Sequence, residues 1–106
     1  MHDKWLTRFK EEVLPLIVNE IHPSRVLFFG SRATGSAVEE SDIDVIIISD
    51  AFKDIPFMRR MGKILKLAKF PKHIDCLCYT PEEFRKIKLS SSIIENVLEN
   101  FVEVPL

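Results

Sequence analysis

Val26-Leu27-Phe28-Phe29-Gly30-Ser31 is a short apolar run that ends at a glycine, and ten residues separate Ser31 from Asp42-Ile43-Asp44-Val45-Ile46-Ile47-Ile48. The first run reads as a buried strand. The second reads as another strand, its apolar faces both covered beyond the first residues. Ser31 to Ser36 is small-residued, with Gly35 placed as a helix stop, so one or two helical turns open straight from the end of the first strand.

Upstream, Leu6, Phe9, Val13, Leu16 or Ile17, and Ile21 recur at the spacing of one helical face from Asp3 to Ile21. Pro15 removes an amide donor and should kink or split that helix. Downstream, Phe57, Met58, Met61, Ile64, Leu65 and Ala68 describe the apolar stripe of a further helix, with Pro56 at its start, Gly62 inside it and Pro71 beyond its end. This spacing predicts that Met58 and Met61 pack in the core, while Arg59, Arg60 and Lys63 form a solvated face. His73 to Tyr79 reads as a third strand. Thr80-Pro81-Glu82-Glu83 combines a capping box with proline at the first helical position, and Ser92-Ile93-Ile94-Glu95 repeats the capping-box spacing ahead of Val97, Leu98 and Phe101. Phe101 to Leu106 is expected to add a short edge strand. The alternation predicts an α/β (α+β) layered fold, a mixed β-sheet flanked by helices, in a single domain over residues 1–106.

Composition narrows the function classes. The chain is 46% apolar and 29% charged, the balance of an ordinary globular protein. Its 15 Lys and Arg against 16 Asp and Glu leave a net charge of −1, with no global field to favour a polynucleotide partner. The aliphatic run from Val45 to Ile48 is far too short to span a bilayer, so a cytoplasmic protein without a membrane partner is expected. The cysteines Cys76 and Cys78 stand two apart in an apolar run, on one face of one strand, and with only three scattered histidines they make no zinc-like cluster. Both read as buried core thiols.

The chemistry concentrates at the two strand ends. A glycine after a strand lets backbone approach a phosphate closely, and the Ser31 hydroxyl with the free amides of the helix beginning there forms a nest for anionic oxygens. Asp42 and Asp44, two apart on a strand, project from the same face and can share hard cations. Their mutual repulsion amounts to a few kcal/mol at an effective dielectric near 20, which a bound Mg²⁺ would compensate. Asp75 is an acid embedded between Ile74 and Cys76, where a structural strand would ordinarily carry an aliphatic residue. A lone buried carboxylate needs a partner or a metal, so Asp75 is the third candidate. Arg32 is placed to contact phosphate or to remain solvated in the first helical turn.

At these residues the chain resembles the minimal nucleotidyltransferase family of the polymerase β-like superfamily. The resemblance rests on Phe29-Gly30-Ser31-Arg32-Ala33-Thr34-Gly35, Ser41-Asp42-Ile43-Asp44 and the later Asp75, and it runs roughly from Val26 to Glu83. Many members carry a second Arg where this chain has Thr34. The resemblance implies a polymerase β palm-like fold. It also implies two divalent cations, Mg²⁺ or Mn²⁺, on Asp42, Asp44 and Asp75, with ATP as donor gripped by Gly30, Ser31 and Arg32. In such proteins the third acid helps activate the acceptor hydroxyl, a role that falls on Asp75. Many short members look like antitoxins encoded beside HEPN-domain toxins, which implies transfer of AMP to a toxin tyrosine in a type VII-like toxin–antitoxin pair. Two other readings stand beside it: a non-catalytic nucleotide-binding module that docks on its partner, and nucleotidyl transfer to a small molecule. The oligomeric state, a homo-oligomer included, is left open.

Overall fold

The computed structural model describes residues 3–67, 69–90 and 92–106. Asp3 caps the first helix, α1 (Lys4–Glu12), its carboxylate accepting from the amides of Trp5 and Leu6. The helical pattern breaks at Val13 and resumes as α2 (Leu14–Ile21), so the chain splits around Pro15, which sits in the first turn of α2 where an amide donor is not needed. Ile17, not Leu16, is the buried residue at that step.

Strand β1 (Arg25–Phe29) runs directly into the short helix α3 (Gly30–Thr34), which Gly35 ends in the left-handed region at φ 81°. Strand β2 (Ile43–Ile48) follows. A 3₁₀ turn over Asp50–Asp54, not foreseen from the sequence, then brings Phe52 into the core. Its lead-in is Ser49, a buried hydroxyl that donates to the Ile21 carbonyl and accepts from the Ala51 amide. Next come α4 (Phe57–Leu65), β3 (Ile74–Tyr79), α5 (Pro81–Ser90), α6 (Ser92–Glu99) and the short β4 (Val102–Glu103). The capping box before α5 forms as expected: the Glu83 amide donates to Thr80 Oγ1 and the Thr80 amide to Glu83 Oε1. Ala68 and the side chains of Val97 and Leu98, assigned above to apolar helix faces, lie outside what is described.

The strands lie in the order β3-β2-β1-β4. β2 and β3 are parallel, joined by the α4 crossover, whereas β1 pairs antiparallel with both β2 and β4, so the sheet is mixed and its edge strand β4 is the expected C-terminal one. Alternation along each strand divides the core in two. Val26, Phe28, Ile43, Val45, Ile47, Cys76 and Cys78 face α1 and α2, while Leu27, Ile46, Ile48 and Tyr79 face α5 and α6 through Phe84 and Ile94. Each fully buried Phe or Ile contributes about 1.5–3 kcal/mol. Both cysteines are buried, as read from the sequence.

Two expectations about α4 are overturned. Met58 is 90% exposed and Met61 43%, so neither is a core residue; the helix buries only a narrow side through Ile64 and Arg60. Arg60, read as solvated, is buried because its guanidinium donates to the carbonyls of Ile55 and Cys78 and pairs with the Glu83 carboxylate at 2.5 Å. Those partners offset the cost of burying its charge.

Candidate active site

The register of the sheet assembles the site. Phe29 pairs with Asp44, and Asp44 with Asp75, so adjacent strands carry the residue before Gly30, the second acid and the third acid in one row. Neighbouring strands lie about 4.8 Å apart, which brings all three within reach of one small ligand. Gly30 has φ 72°, and a Cβ built there would overlap Asp44 Oδ2. The Asp44 carboxylate therefore rests against bare backbone, in a space any side chain at position 30 would fill.

Asp42 precedes β2 by one residue. It joins Asp75 and His73 in a group whose ligand atoms all lie within 4.8 Å of one another. His73 Nε2 is 3.0 Å from Asp75 Oδ1, and the two side chains are roughly half exposed. His73 was not among the sequence candidates, although its i, i+2 relation to Asp75 on a strand was a signal that could have found it. Asp44 has its pKa raised above the ordinary value. Burial is the larger cause, the negative charges of Asp75 and Asp42 add to it, and His73 opposes. This oxygen-rich set with one imidazole fits a hard divalent cation such as Mg²⁺ or Mn²⁺, whose charge would relieve that repulsion.

On the β1 side, Ser31 lies in the first turn of α3. The residue before that helix, Phe29, provides no side-chain cap, so the leading amides of α3 keep no such partner. Gly30, Ser31, Asp42, Asp44 and Asp75 are thus brought to one end of the sheet.

Arg32 is used otherwise than expected. It is 7% exposed: its Nε and Nη2 donate to the Ser41 carbonyl, Nη2 also to the carbonyls of Val38 and Glu39, and Nη1 to both Asp3 carboxylate oxygens. Its nitrogens hold the 38–41 loop and the α1 cap, so it is not a solvated residue of the first turn. Asp3 is pushed up by burial, but hydrogen bonds from Leu6, Arg32 and Trp5 outweigh that and hold its carboxyl below the usual range. The sequence showed the arginine but not that a loop of carbonyls would fold back around it.

Residues 6–104 match the nucleotidyltransferase domain family. The chain is 32% identical over 100 residues, 93% of its length and 94% of the relative's, to a Methanocaldococcus jannaschii protein named "Putative protein adenylyltransferase MJ0141". It is 29% identical over 96 residues, 88% of its length and 84% of the relative's, to "Probable protein adenylyltransferase MntA" of Haemophilus influenzae. Among solved structures, a Sulfolobus solfataricus protein titled a putative nucleotidyltransferase superposes with TM-score 0.66 at 21% identity, over 94% of this chain and 78% of that one. A second structure with a nucleotidyltransferase title gives 0.63, also at 21%, over 92% and 99%. These two show the shared fold, and the sequence matches show the family. Among the described residues no helix is long and apolar enough to cross a membrane. The chain belongs to the nucleotidyltransferase domain family, in its minimal form, and is a nucleotidyltransferase.

Proposed function

We propose that this nucleotidyltransferase is metal-dependent and transfers AMP from ATP to a hydroxyl, a tyrosine's, on a partner HEPN toxin, which it thereby silences as a type VII-like antitoxin in the cytoplasm. The observation that carries the chemistry is the register that sets Phe29, Asp44 and Asp75 side by side on three strands, with Gly30, the next residue after Phe29, against the Asp44 carboxylate. Both relatives are named as protein adenylyltransferases, which supports a protein as acceptor.

In this reading the Ser31 hydroxyl and the α3 amides hold the triphosphate, and Gly30 lets it approach the backbone. Asp42, Asp44 and Asp75 would hold the divalent cation, which when bound neutralises charge on the phosphates and favours in-line displacement. The acceptor oxygen forms a bond to the α-phosphorus, and the bond from that phosphorus to the oxygen bridging to the β-phosphate breaks. Pyrophosphate leaves with the electron pair. The hydroxyl proton passes to an Asp75 carboxylate oxygen, which His73 steadies at 3.0 Å, and from there to solvent.

The test is incubation of the purified chain with Mg-ATP labelled on the α-phosphate and a HEPN-domain protein as acceptor, followed by intact mass and peptide mapping. Label on a tyrosine of that protein is the expected result. A HEPN protein that stays unlabelled, with pyrophosphate never released, would sink the reading.

A further inference from the structure

The most exposed apolar surface of α4 opens onto the carboxylate row. Phe57 is 52% exposed and Met58 90%, and with Met61 they line a cleft of about 460 Å³ that Phe29, Asp44 and Asp75 also line. A second hollow of about 440 Å³ shares Phe57 and continues over Tyr79 to Ile87 of α5. Exposed apolar side chains grouped beside a polar site offer a surface on which a partner can dock.

Its position fixes which reactant it meets. Gly30 and α3 lie on the β1 side of Asp44, and β3 with α4 on the other, so a donor held at Gly30 would take the Phe29 and Asp44 end of the cleft and leave its Asp75 and α4 side to the acceptor. Charge gives a second, independent pointer. Residues 56–90, which carry α4, β3 and α5, hold nine Lys and Arg against three Asp and Glu, a net +6. The rest of the chain holds six against thirteen, a net −7. Part of that charge is engaged elsewhere, since Arg60 is buried against Glu83, Lys63 pairs with Glu20 and Lys72 lies over Trp5. The exposed Arg59 beside Met58 and Lys86 in the wall of the second hollow nevertheless put basic side chains at the strip itself. Two copies meeting symmetrically through this strip would set basic region against basic region, which disfavours a second copy as occupant. The flexible methionines and Phe57 at its centre suit a protein surface better than a phosphate backbone.

We propose that the strip Phe57, Met58, Met61 and Ile87 is the docking surface for the acceptor protein. That protein presents an apolar contact patch ringed by acidic side chains, and its target hydroxyl enters the cleft toward Asp75. This rests on the transfer reaction proposed above and adds where and by what chemistry the acceptor is recognised.

The probe is a fluorescein-labelled random copolymer of Glu and Tyr, compared with a Lys–Tyr copolymer and a single-stranded oligonucleotide by anisotropy. The Met58→Asp/Met61→Asp double variant changes exposed positions only and is checked for folding by circular dichroism. It should bind the Glu–Tyr copolymer about tenfold more weakly, as when interface anchors are removed, while its Mg-ATP affinity stays within about twofold of wild type. Leu89→Asp, equally exposed but outside both hollows, should leave copolymer binding unchanged. The proposal is overturned by undiminished binding in the double variant, by equal binding of the Lys–Tyr copolymer, or by tighter binding of the oligonucleotide. A wild-type dimer that the double variant dissolves would also overturn it. Failure of the transfer reading is distinguishable, since it appears as absent Mg-ATP binding by the wild type, whatever the copolymer does.

Discussion

The carboxylate of Asp44 lies against the bare Cα of Gly30, so that the strand end on β1 and the acid on β2 fit together only because position 30 has no side chain. Gly30→Ala must place a Cβ where Asp44 Oδ2 sits and must hold alanine at φ 72°. A loss of roughly 1–3 kcal/mol in urea unfolding is expected from the strained backbone alone. Titration calorimetry should show nucleotide affinity falling as well, because the displaced acid no longer aligns with Asp42 and Asp75. Unchanged affinity in a folded variant would detach this contact from the site.

Substitutions of the carboxylates should separate by role. Asp75→Asn is nearly isosteric and should lower AMP transfer about a hundredfold or more while nucleotide affinity survives, in line with loss of a positioned base. Asp42→Asn and Asp44→Asn should impair both. Affinity by calorimetry and transfer by intact mass, on variants shown to be folded, make the comparison. Full transfer by Asp75→Asn would leave Asp75 a structural acid.

Stability should report the strain on Asp44. Burial first, then Asp75 and Asp42, hold its pKa above 3.8, so the folded chain binds this proton more tightly than the unfolded chain does. In chelator, the stability of wild type relative to Asp44→Asn should therefore fall as pH rises from 3.8 through the raised value, leaving the variant the more stable at neutral pH. Urea unfolding across that range is the measurement. A difference that moved in wild type's favour with rising pH would mean the carboxylate stabilises the fold.

Arg32→Met keeps most of the buried volume but removes the guanidinium that donates to Ser41, Val38, Glu39 and Asp3, while Asp3 keeps the Trp5 and Leu6 amides. A loss of roughly 2–4 kcal/mol is expected, since buried acceptors and the Asp3 charge lose their partner. Arg32→Lys should recover little of it, because a point charge cannot fork across the loop and the helix cap together. Thermal melts of the three proteins decide this, and a fully stable Arg32→Lys would overturn the account.

The strands and the positions of Gly30, Asp42, Asp44 and Asp75 were legible because continuous apolar runs, the glycine that ends the first and the acids that interrupt the others are local signals. What was not legible depended on distant partners. Arg60 reads as a surface residue until Ile55, Cys78 and Glu83 are brought around it, and Arg32 until residues 38–41 turn back. Met58 and Met61 fit a helical core stripe by spacing. However, α4 packs at the β3 edge of the sheet, where only one narrow side can be covered, and periodicity does not say how wide the neighbouring surface is.

The strand pairings differ in when synthesis can complete them. β1 with β2 and β2 with β3, which bring Gly30, Asp44 and Asp75 together, need the chain only as far as Tyr79, whereas β4 returns to β1 at Leu27↔Glu103 and seals it through the Val104 amide to the Val26 carbonyl. On the ribosome, the parts of the catalytic row are therefore all available before the outer edge of β1 can be covered. Until then that edge offers unpaired backbone to any neighbouring nascent chain. β4, although none of its residues belongs to the row, serves as the fold's guard against misassembly: a chain ended at Asn100 would keep every residue of the row yet should be the more prone to aggregate.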